Sequence, residues 1–346
     1  MTNGQKTQLL TPEEIRSAEE LISGLLTQLD RMILGSEHIH RMLLIALLSR
    51  GHVLLEGVPG VGKTLTVRTL SRLLGLDFKR VQFTPDLMPG DIVGNHILQT
   101  SESGERKLVF QKGPVFTHIL LADEINRASP KTQSALLEAM QEQSVTLLGM
   151  TRELPNPFFV LATQNPIEME GTYPLPEAQV DRFLFKLNVD TVSPGILEKI
   201  ITTRRRGTPP EPGQIMNPGD LENLFAMMER MALPVPVARY ISRLVGASHP
   251  ESPEATEMVK NYVSFGASPR AAIGIAEAAR GYALICGRPA AGFEDVKSVA
   301  PHALNHRLIL SYKARIDRIS SHSVLDELLA CLDETGMNLP DNVEVR

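Results

Sequence analysis

The chain has few cysteines, no tryptophan and no long apolar run. Its 346 residues include only two cysteines, Cys286 and Cys331, and the nine histidines form no metal-ligand pattern. This usage excludes a disulfide framework and a zinc site, and predicts reduced thiols in a cytoplasmic protein. No segment reaches about 18 consecutive apolar residues, and residues 1–10 lack the apolar core of a signal peptide. We therefore expect no membrane insertion.

An excess of basic residues is also absent. The chain has 35 Lys and Arg against 40 Asp and Glu, a formal net charge of −5. Since nucleic-acid-binding proteins usually carry a basic footprint, nucleic acid is not expected as the main ligand. The three arginines at 204–206 could form a local basic patch, but at a helix end they more often complement the helix dipole.

What the sequence does contain is a complete phosphate-binding loop, G-x-x-x-x-G-K-[ST], at residues 57–64. Residues 52–56 (HVLLE) predict a short buried strand before the loop, and residues 65–74 predict a helix after it, which is the context this motif requires. Backbone N–H groups would converge on phosphate oxygens at the helix N-terminus. Lys63 would bind the β- and γ-phosphates, and the Thr64 hydroxyl would ligate Mg²⁺. The predicted nucleotide-binding segment comprises Gly57, Val58, Pro59, Gly60, Val61, Gly62, Lys63, Thr64 and Leu65.

Two acids, Asp123 and Glu124, follow a second apolar strand at residues 118–122. An aspartate at the carboxyl end of a strand beside the phosphate loop can hold Mg²⁺, here through a water molecule. The adjacent glutamate can accept a proton from the attacking water. Because consecutive side chains of a strand diverge, the two carboxylates can serve two sites. The alternative is a solvated acidic pair that caps the next helix.

Asn165, which follows a third apolar strand at residues 158–162, has two interpretations. At the carboxyl edge of an open α/β sheet it could orient the attacking water or contact the γ-phosphate. It also precedes Pro166, and asparagine is a common turn residue. The residues alone favour the turn.

The alternation of strands and helices predicts an α/β core with a five-stranded parallel sheet, covered on both faces. The strands are expected near residues 53–56, 79–83, 118–122, 158–162 and 183–189. Two hairpins interrupt the pattern. One has strands at 97–99 and 107–110 around a polar turn at 101–106, and the other has strands at 145–148 and 151–154 around Gly149 and Met150.

Further signals define the domains. Thr11 to Glu14 form a capping box that opens a helix ending near Met32, and a second helix is expected at about 36–49. The Pro- and Gly-rich segment at 208–213 marks a domain boundary. Beyond it, helices are expected at about 220–232, 235–248, 268–286, 293–299 and 323–334. We therefore predict a disordered tail (1–10), a nucleotide-binding core (11–207), a linker (208–219) and an all-α domain (220–346).

These motifs, in their order and in their residues, resemble those of AAA+ ATPases, and of the MoxR family within them. The matching stretches run from about residue 34 to about residue 310, and they are LLEGVPG (54–60), ADEINRA (122–128), KTQSALLEAM (131–140), ATQNP (162–166), LPEAQVDRF (175–183) and GASPRA (266–271). One departure is Val61-Gly62, where many MoxR relatives have Leu-Ala. This chain is nearer the general phosphate-loop consensus, so the chemistry is unaffected.

The resemblance implies a P-loop AAA+ core followed by a helical lid, with ATP and Mg²⁺ as cofactors. Asn165 matches the sensor 1 position, which favours a catalytic role over a turn. Arg182 matches the arginine finger, which acts on ATP held by a neighbouring subunit. Arg270 matches sensor 2 on the lid, and Leu34 and Gly35 lie where relatives contact adenine.

The resemblance leaves two assignments open. Arg127 either faces the next subunit or pairs with a surface acid. The hairpins match the helix-2 insert and the pre-sensor-1 hairpin, which in related rings point toward the pore or the substrate. The alternative is that they are ordinary surface hairpins.

For function, the resemblance implies a chaperone-like ATPase that remodels, activates or matures a partner protein complex. It implies a homo-oligomer, expected to be a hexameric ring, and a partner that carries a von Willebrand factor A domain. Two alternatives remain. The inserts suggest a DNA-handling motor, against which the acidic net charge argues. A nucleotide-gated binding module without turnover is the other, against which Glu124 argues.

Overall fold

The computed structural model describes residues 9–58, 62–100, 106–165, 171–189, 191–204 and 213–334. Several predictions concern residues outside these ranges: most of the N-terminal tail, the loop residues Pro59, Gly60 and Val61, the tip of the first hairpin, residues 208–212 of the linker, and residues 335–346. The chain divides into two compact units. One comprises residues 21–223 and the other comprises residues 1–20 with residues 224–346.

Helices and strands alternate through the first two thirds of the chain. In order, they are α1 (Pro12–Met32), α2 (Glu37–Leu48), β1 (Val53–Glu56), α3 (Lys63–Leu74), β2 (Phe78–Gln82), α4 (Pro89–Val93), β3 (Gly94–Thr100), β4 (Arg106–Lys112), β5 (Ile119–Asp123), α5 (Pro130–Glu142), β6 (Ser144–Leu147), β7 (Met150–Glu153), β8 (Phe159–Gln164), α6 (Glu177–Val180), β9 (Phe185–Asn188) and α7 (Pro194–Thr203). A short 3-10 turn at Ile125–Arg127 joins β5 to α5.

The remainder of the chain is mostly helical. Its elements are α8 (Pro218–Arg230), α9 (Val235–Ala247), α10 (Glu257–Tyr262), β10 (Val263–Phe265), α11 (Pro269–Ile285), α12 (Phe293–Leu304), β11 (Ile309–Leu310), α13 (Tyr312–Ile316) and α14 (Ser321–Cys331). Among the described residues, no helix combines the length and the apolar character needed to cross a membrane.

The core of the first unit is a five-stranded parallel sheet in the order β2-β5-β8-β1-β9. All five predicted strands are present, and their ends differ from the prediction by at most two residues. The three central strands are buried almost throughout. Near-continuous burial is the pattern of a parallel sheet with both faces covered, so this part of the fold prediction is confirmed.

Both predicted hairpins are present as antiparallel pairs, β3 with β4 and β6 with β7. The second turn is shifted by one residue from the prediction. It contains Leu148 and Gly149, whose φ angles are 51° and 77°, while Met150 pairs with Leu147 in the ladder. Two-residue hairpin turns with positive φ at both positions match the twist of the strands, which explains why the turn settles there.

The capping box at the start of α1 forms as predicted. The Thr11 amide donates to Glu14 Oε2 at 2.7 Å, and the Glu14 amide donates to Thr11 Oγ1 at 3.2 Å. Arg230 donates to both oxygens of Glu14, at 2.6 and 3.0 Å. These bonds, together with the Thr11 amide, lower the pKa of Glu14 to about 2. The same contacts place residues 11–20 with the helical unit, whereas the predicted core began at residue 11.

Every helix predicted beyond the linker is present, with two additions. Helices α10 and α13 were not predicted, and β10 pairs with β11 as a short antiparallel ladder, so the unit is not purely helical. Strands of three and two residues are too short to show a periodic pattern in the sequence. The helix expected at 293–299 continues past Pro301 to Leu304, because the side chains of its last turn are buried.

Candidate functional site

The phosphate-loop lysine, both acids and Asn165 line one cavity at the carboxyl edge of the sheet. Its volume is about 390 Å³, and its lining residues are Gly62, Lys63, Thr64, Leu65, Arg80, Gln82, Asp123, Glu124 and Asn165. β1, β8 and β5 are adjacent in the sheet, so the segments that follow them meet at one edge. Ligands of open α/β folds bind at this edge.

The phosphate loop leads directly into α3. Gly62 takes the left-handed conformation with a φ of 86°, and Lys63 is the first residue of the helix. The Lys63 ammonium donates to the Gly57 carbonyl at 2.6 Å, and burial lowers the pKa of Lys63, against the attraction of Asp123 and Glu124. Gly57 has no room for a side chain, because a Cβ there would lie 2.6 Å from the Val189 carbonyl oxygen. The positive end of the α3 dipole, beside a lysine, suits an anionic ligand.

Asp123 ends β5, and its carboxylate is bound on both sides. The buried hydroxyl of Thr163 donates to Oδ1 at 2.6 Å, and Arg80 donates to Oδ2 from Nε at 3.0 Å and from Nη2 at 2.6 Å. Thr64, whose hydroxyl is the other candidate metal ligand, lines the same cavity. A carboxylate and a hydroxyl are oxygen donors of the kind that Mg²⁺ prefers, so these residues fit a magnesium ion.

Glu124 lies just beyond the strand, in the left-handed conformation with a φ of 57°. Its amide donates to Thr163 Oγ1 at 2.8 Å, and its Oε2 accepts bonds from Gln82 at 2.6 Å and from Arg127 at 2.9 Å. A non-glycine residue with positive φ is uncommon and is maintained only where its surroundings impose it. The two acids therefore diverge because of this turn, and the expected reason, strand alternation, is wrong in this detail.

Arg127 bonds to Glu124 of its own site, and its side chain is 42% exposed. Of the two predicted interpretations, pairing with an acid is present, but that acid belongs to the site. Asn165 is buried, with 6% of its surface exposed, and it lines the cavity directly after β8. Pro166, which carried the turn interpretation, lies outside the described residues.

Arg182 lies in a different place from the phosphate loop. It lines a second cavity of about 690 Å³ with Glu138 and Glu142 of α5, and its Nη1 donates to the Leu137 carbonyl at 2.8 Å. Among the described residues, the two cavities have no lining residue in common.

Leu34 and Gly35 are not among the described residues that line the phosphate cavity. Leu34 is half-buried, and Gly35, with a φ of 82°, packs so closely on Ile196 of α7 that a Cβ would lie 2.5 Å from its Cδ1. Arg270 is in the first turn of α11, after Ser268 and Pro269, as the sequence predicts. It belongs to the helical unit.

Three residues of the cavity network were missed by sequence reasoning: Arg80, Gln82 and Thr163. Arg80 and Gln82 are alternate residues of β2 and therefore lie on one face of it. Their relevance depends on β2 lying beside β5, with Gln82 in register with Asp123. Thr163 precedes the predicted Asn165 by two residues, which was a usable signal.

Two segments of the chain match known families. Residues 52–185 match the ATPase family associated with various cellular activities (AAA), and residues 255–328 match the AAA lid domain. Chaperone MoxR1 of Mycobacterium tuberculosis is 48% identical over 302 residues, which cover 87% of this chain and 79% of that protein. Protein MoxR of Methylorubrum extorquens is 30% identical, over 82% of this chain and 86% of that protein.

A solved structure is also similar. The crystal structure of a putative ATPase from Cytophaga hutchinsonii superposes with a TM-score of 0.84 and 38% sequence identity, covering 93% of this chain and 97% of that one. The uncharacterized protein YeaC of Bacillus subtilis is 41% identical, over 90% of this chain and 94% of its own length.

Proposed function

The chain belongs to the MoxR family of AAA+ ATPases, and we propose that it hydrolyses ATP with Mg²⁺ in order to remodel, activate or mature a partner protein complex. The observation that carries this proposal is the single cavity into which three separate strand ends bring Lys63, Asp123, Glu124 and Asn165. The Mycobacterium tuberculosis relative is named a chaperone, which supports the same class of function.

In this proposal each side chain of the cavity has one role. Lys63, at the N-terminus of α3, binds the β- and γ-phosphates. Mg²⁺, held by the Thr64 hydroxyl and, through water, by Asp123, would neutralise negative charge on the phosphates. Asn165 orients the attacking water, and Glu124 accepts its proton. The bonds from Gln82 and Arg127 hold the Glu124 carboxylate at the cavity wall.

We propose that Arg182 acts on ATP bound to a neighbouring copy of the chain. Its separate cavity supports this role, because Arg182 is fixed by the Leu137 carbonyl away from the phosphate loop of its own subunit. A contact between two different faces of the same protein is head-to-tail, and it closes into a ring when the rotation permits. A hexameric ring is the proposed assembly.

The proposed partners are a protein with a von Willebrand factor A domain and a target complex, in the cytoplasm. The two hairpins suit contact with another polypeptide. Their exposed apolar side chains include Leu98 and Leu108, which are cross-strand partners, and Leu148 and Met150 at the second turn. Apolar side chains grouped on a surface in this way often mark an interaction site.

The test separates nucleotide binding from turnover. We expect Lys63→Ala to abolish ATP binding, because it removes the phosphate-binding cation. We expect Glu124→Gln to bind ATP normally and to hydrolyse it about 10² to 10⁴ times more slowly, since it removes the proton acceptor. ATP affinity and phosphate release are measured on both variants, with Lys79→Ala as a control lysine whose side chain does not line the cavity. Near-normal hydrolysis by Glu124→Gln would exclude Glu124 as the base.

A further inference from the structure

Arg80 forms the closest ionic contact of the proposed metal ligand. Its guanidinium donates twice to Asp123 Oδ2, and its Nη2 also donates to Gln82 Oε1 at 2.8 Å. The Arg80 side chain is 47% exposed, whereas that of Asp123 is 13% exposed. Arg80 is therefore held in place by two acceptors of the cavity, while it remains accessible from solvent.

The bonds to Asp123 leave little of its carboxylate for another cation. An ionised carboxylate offers about four lone-pair directions. The guanidinium takes two of them at Oδ2, and the Thr163 hydroxyl takes one at Oδ1. A hydrated divalent cation held by Thr64 and, through its water, by Asp123 must therefore displace the guanidinium from the carboxylate or share the carboxylate with a like charge, which is unfavourable.

The sheet register explains why Arg80 and not its neighbour reaches Asp123. β2 and β5 run parallel, with Arg80 opposite Leu121 and Gln82 opposite Asp123. Arg80 and Gln82 lie on the face of β2 that borders the cavity. Lys79 lies on the other face, where its ammonium donates to the Phe116 carbonyl at 3.4 Å. The strand thus carries one cation inside the cavity and one outside it.

We propose that Arg80 is a built-in counter-ion of the metal site: it neutralises Asp123 when no metal is bound, and it competes with Mg²⁺ for the carboxylate. The inference rests on the proposed function, because it takes Asp123 as the metal ligand. Neutralisation is useful in itself, since a carboxylate that is mostly removed from water is costly without a partner. The consequence is a metal affinity lower than the oxygen donors alone would give.

The test uses Mn²⁺ as a probe of the metal site, at saturating ADP, with free Mn²⁺ measured by electron paramagnetic resonance. Arg80→Gln keeps a polar side chain but removes the positive charge and the paired N–H donors of the guanidinium. We expect it to bind Mn²⁺ about tenfold more tightly than the wild-type protein, since a charge-assisted pair with one partly exposed partner is lost. Arg80→Lys keeps the charge but not the paired donors, so its Mn²⁺ affinity should lie between those of the wild-type protein and Arg80→Gln. Lys79→Gln removes a charge from the same strand and should stay within about twofold of wild type.

Each outcome has a distinct meaning. Unchanged or weaker Mn²⁺ binding by Arg80→Gln overturns the inference. An equal increase in the Mn²⁺ affinity of Lys79→Gln also overturns it, since the effect would then arise from net charge alone. If Arg80→Gln does not fold, as judged by circular dichroism, Arg80→Lys decides: affinity equal to wild type overturns the inference. A wild-type protein that binds ADP but shows no saturable Mn²⁺ site overturns the proposed magnesium dependence itself.

Discussion

The hydroxyl of Thr163 is expected to control both the stability of the core and the position of the proposed base. This side chain is fully buried, donates to Asp123 Oδ1 at 2.6 Å and accepts from the Glu124 amide at 2.8 Å. This hydroxyl links the carboxylate of the proposed metal ligand to the backbone of the next residue. Thr163→Val removes the hydroxyl with almost no change of shape, so it isolates these two bonds.

The expected loss of stability follows from the two bonds. A hydrogen bond to an ionised group contributes about 1.5–3 kcal/mol, and a buried amide left without a partner costs about 1–3 kcal/mol. The extra apolar contact of valine offsets part of this sum. We therefore expect the free energy of unfolding to fall by about 2–4 kcal/mol, a large share of the roughly 5–15 kcal/mol that holds a typical domain together.

Turnover should fall more than binding. The left-handed conformation of Glu124 depends on its surroundings, and the Thr163 hydroxyl supplies one of the constraints. A displacement of about 1 Å at a reacting group can reduce the rate by about 10²-fold. We expect Thr163→Val to reduce the rate of ATP hydrolysis by about 10- to 100-fold, while ATP affinity, which depends on Lys63, changes little.

Thr163→Ser is the matched control, because it keeps the hydroxyl and loses only a methyl group. Unfolding is followed in urea by circular dichroism, since the chain has no tryptophan, and turnover is followed by phosphate release at saturating ATP. Serine should restore most of the rate and most of the stability. If valine and serine variants behave alike, or if valine destabilises without slowing turnover, the positioning role of Thr163 is refuted.

Three further predictions test other parts of the molecule. Mixing inactive Arg182→Ala with inactive Lys63→Ala protein should restore partial ATPase activity, because some interfaces then pair an intact arginine finger with an intact phosphate loop. An arginine finger supplied in trans contributes about 10³–10⁵ in rate. A mixture that stays inactive under conditions of subunit exchange contradicts a trans role for Arg182. Arg270→Ala should abolish the difference in hydrogen-exchange protection of residues 268–286 between the ADP-bound protein and the protein bound to a non-hydrolysable ATP analogue. A ligand shifts a two-state element only by its differential affinity for the two states, and the proposed contact of Arg270 with the γ-phosphate would supply that difference. An undiminished difference in protection means that another residue senses the nucleotide. His52 accepts a bond from the Val160 amide at 3.1 Å and its Nε2 lies 3.2 Å from the Met140 carbonyl, and burial lowers its pKa from 6.5 to about 4, so the neutral ring is favoured in the folded state. The free energy of unfolding therefore has its full value above pH 6.5 and falls by about 3 kcal/mol as the pH drops to about 4, because the unfolded state binds a proton that the folded state does not. The variant His52→Gln should not show this loss in urea unfolding at a series of pH values.

Much of the core could be predicted because its signals are local. The phosphate loop is contiguous, and the buried strands of a parallel sheet are recognisable as short apolar runs between helices. The capping box of Thr11 and Glu14 is likewise formed by residues three apart, and it is present as expected. The hairpins were recognised for the same reason, although the second turn lies one residue earlier, where positive φ at Leu148 and Gly149 matches the strand twist.

Local sequence patterns therefore identify the five core strands, the two hairpins, the longer helices of the second unit and the residues to which we assign the phosphate and metal chemistry. Which of these residues lie next to one another depends on the tertiary structure. Strand order follows from packing between distant segments, so only the fold places β2 beside β5 and brings Arg80 and Gln82 to the two acids. Only the fold turns Glu124 out of the strand direction onto the Thr163 hydroxyl, and only the fold separates Arg182 from the phosphate cavity. Hydrogen bonds act over about 3 Å, so partners that are about 40 residues apart in the chain are specified by register and packing and not by any local pattern.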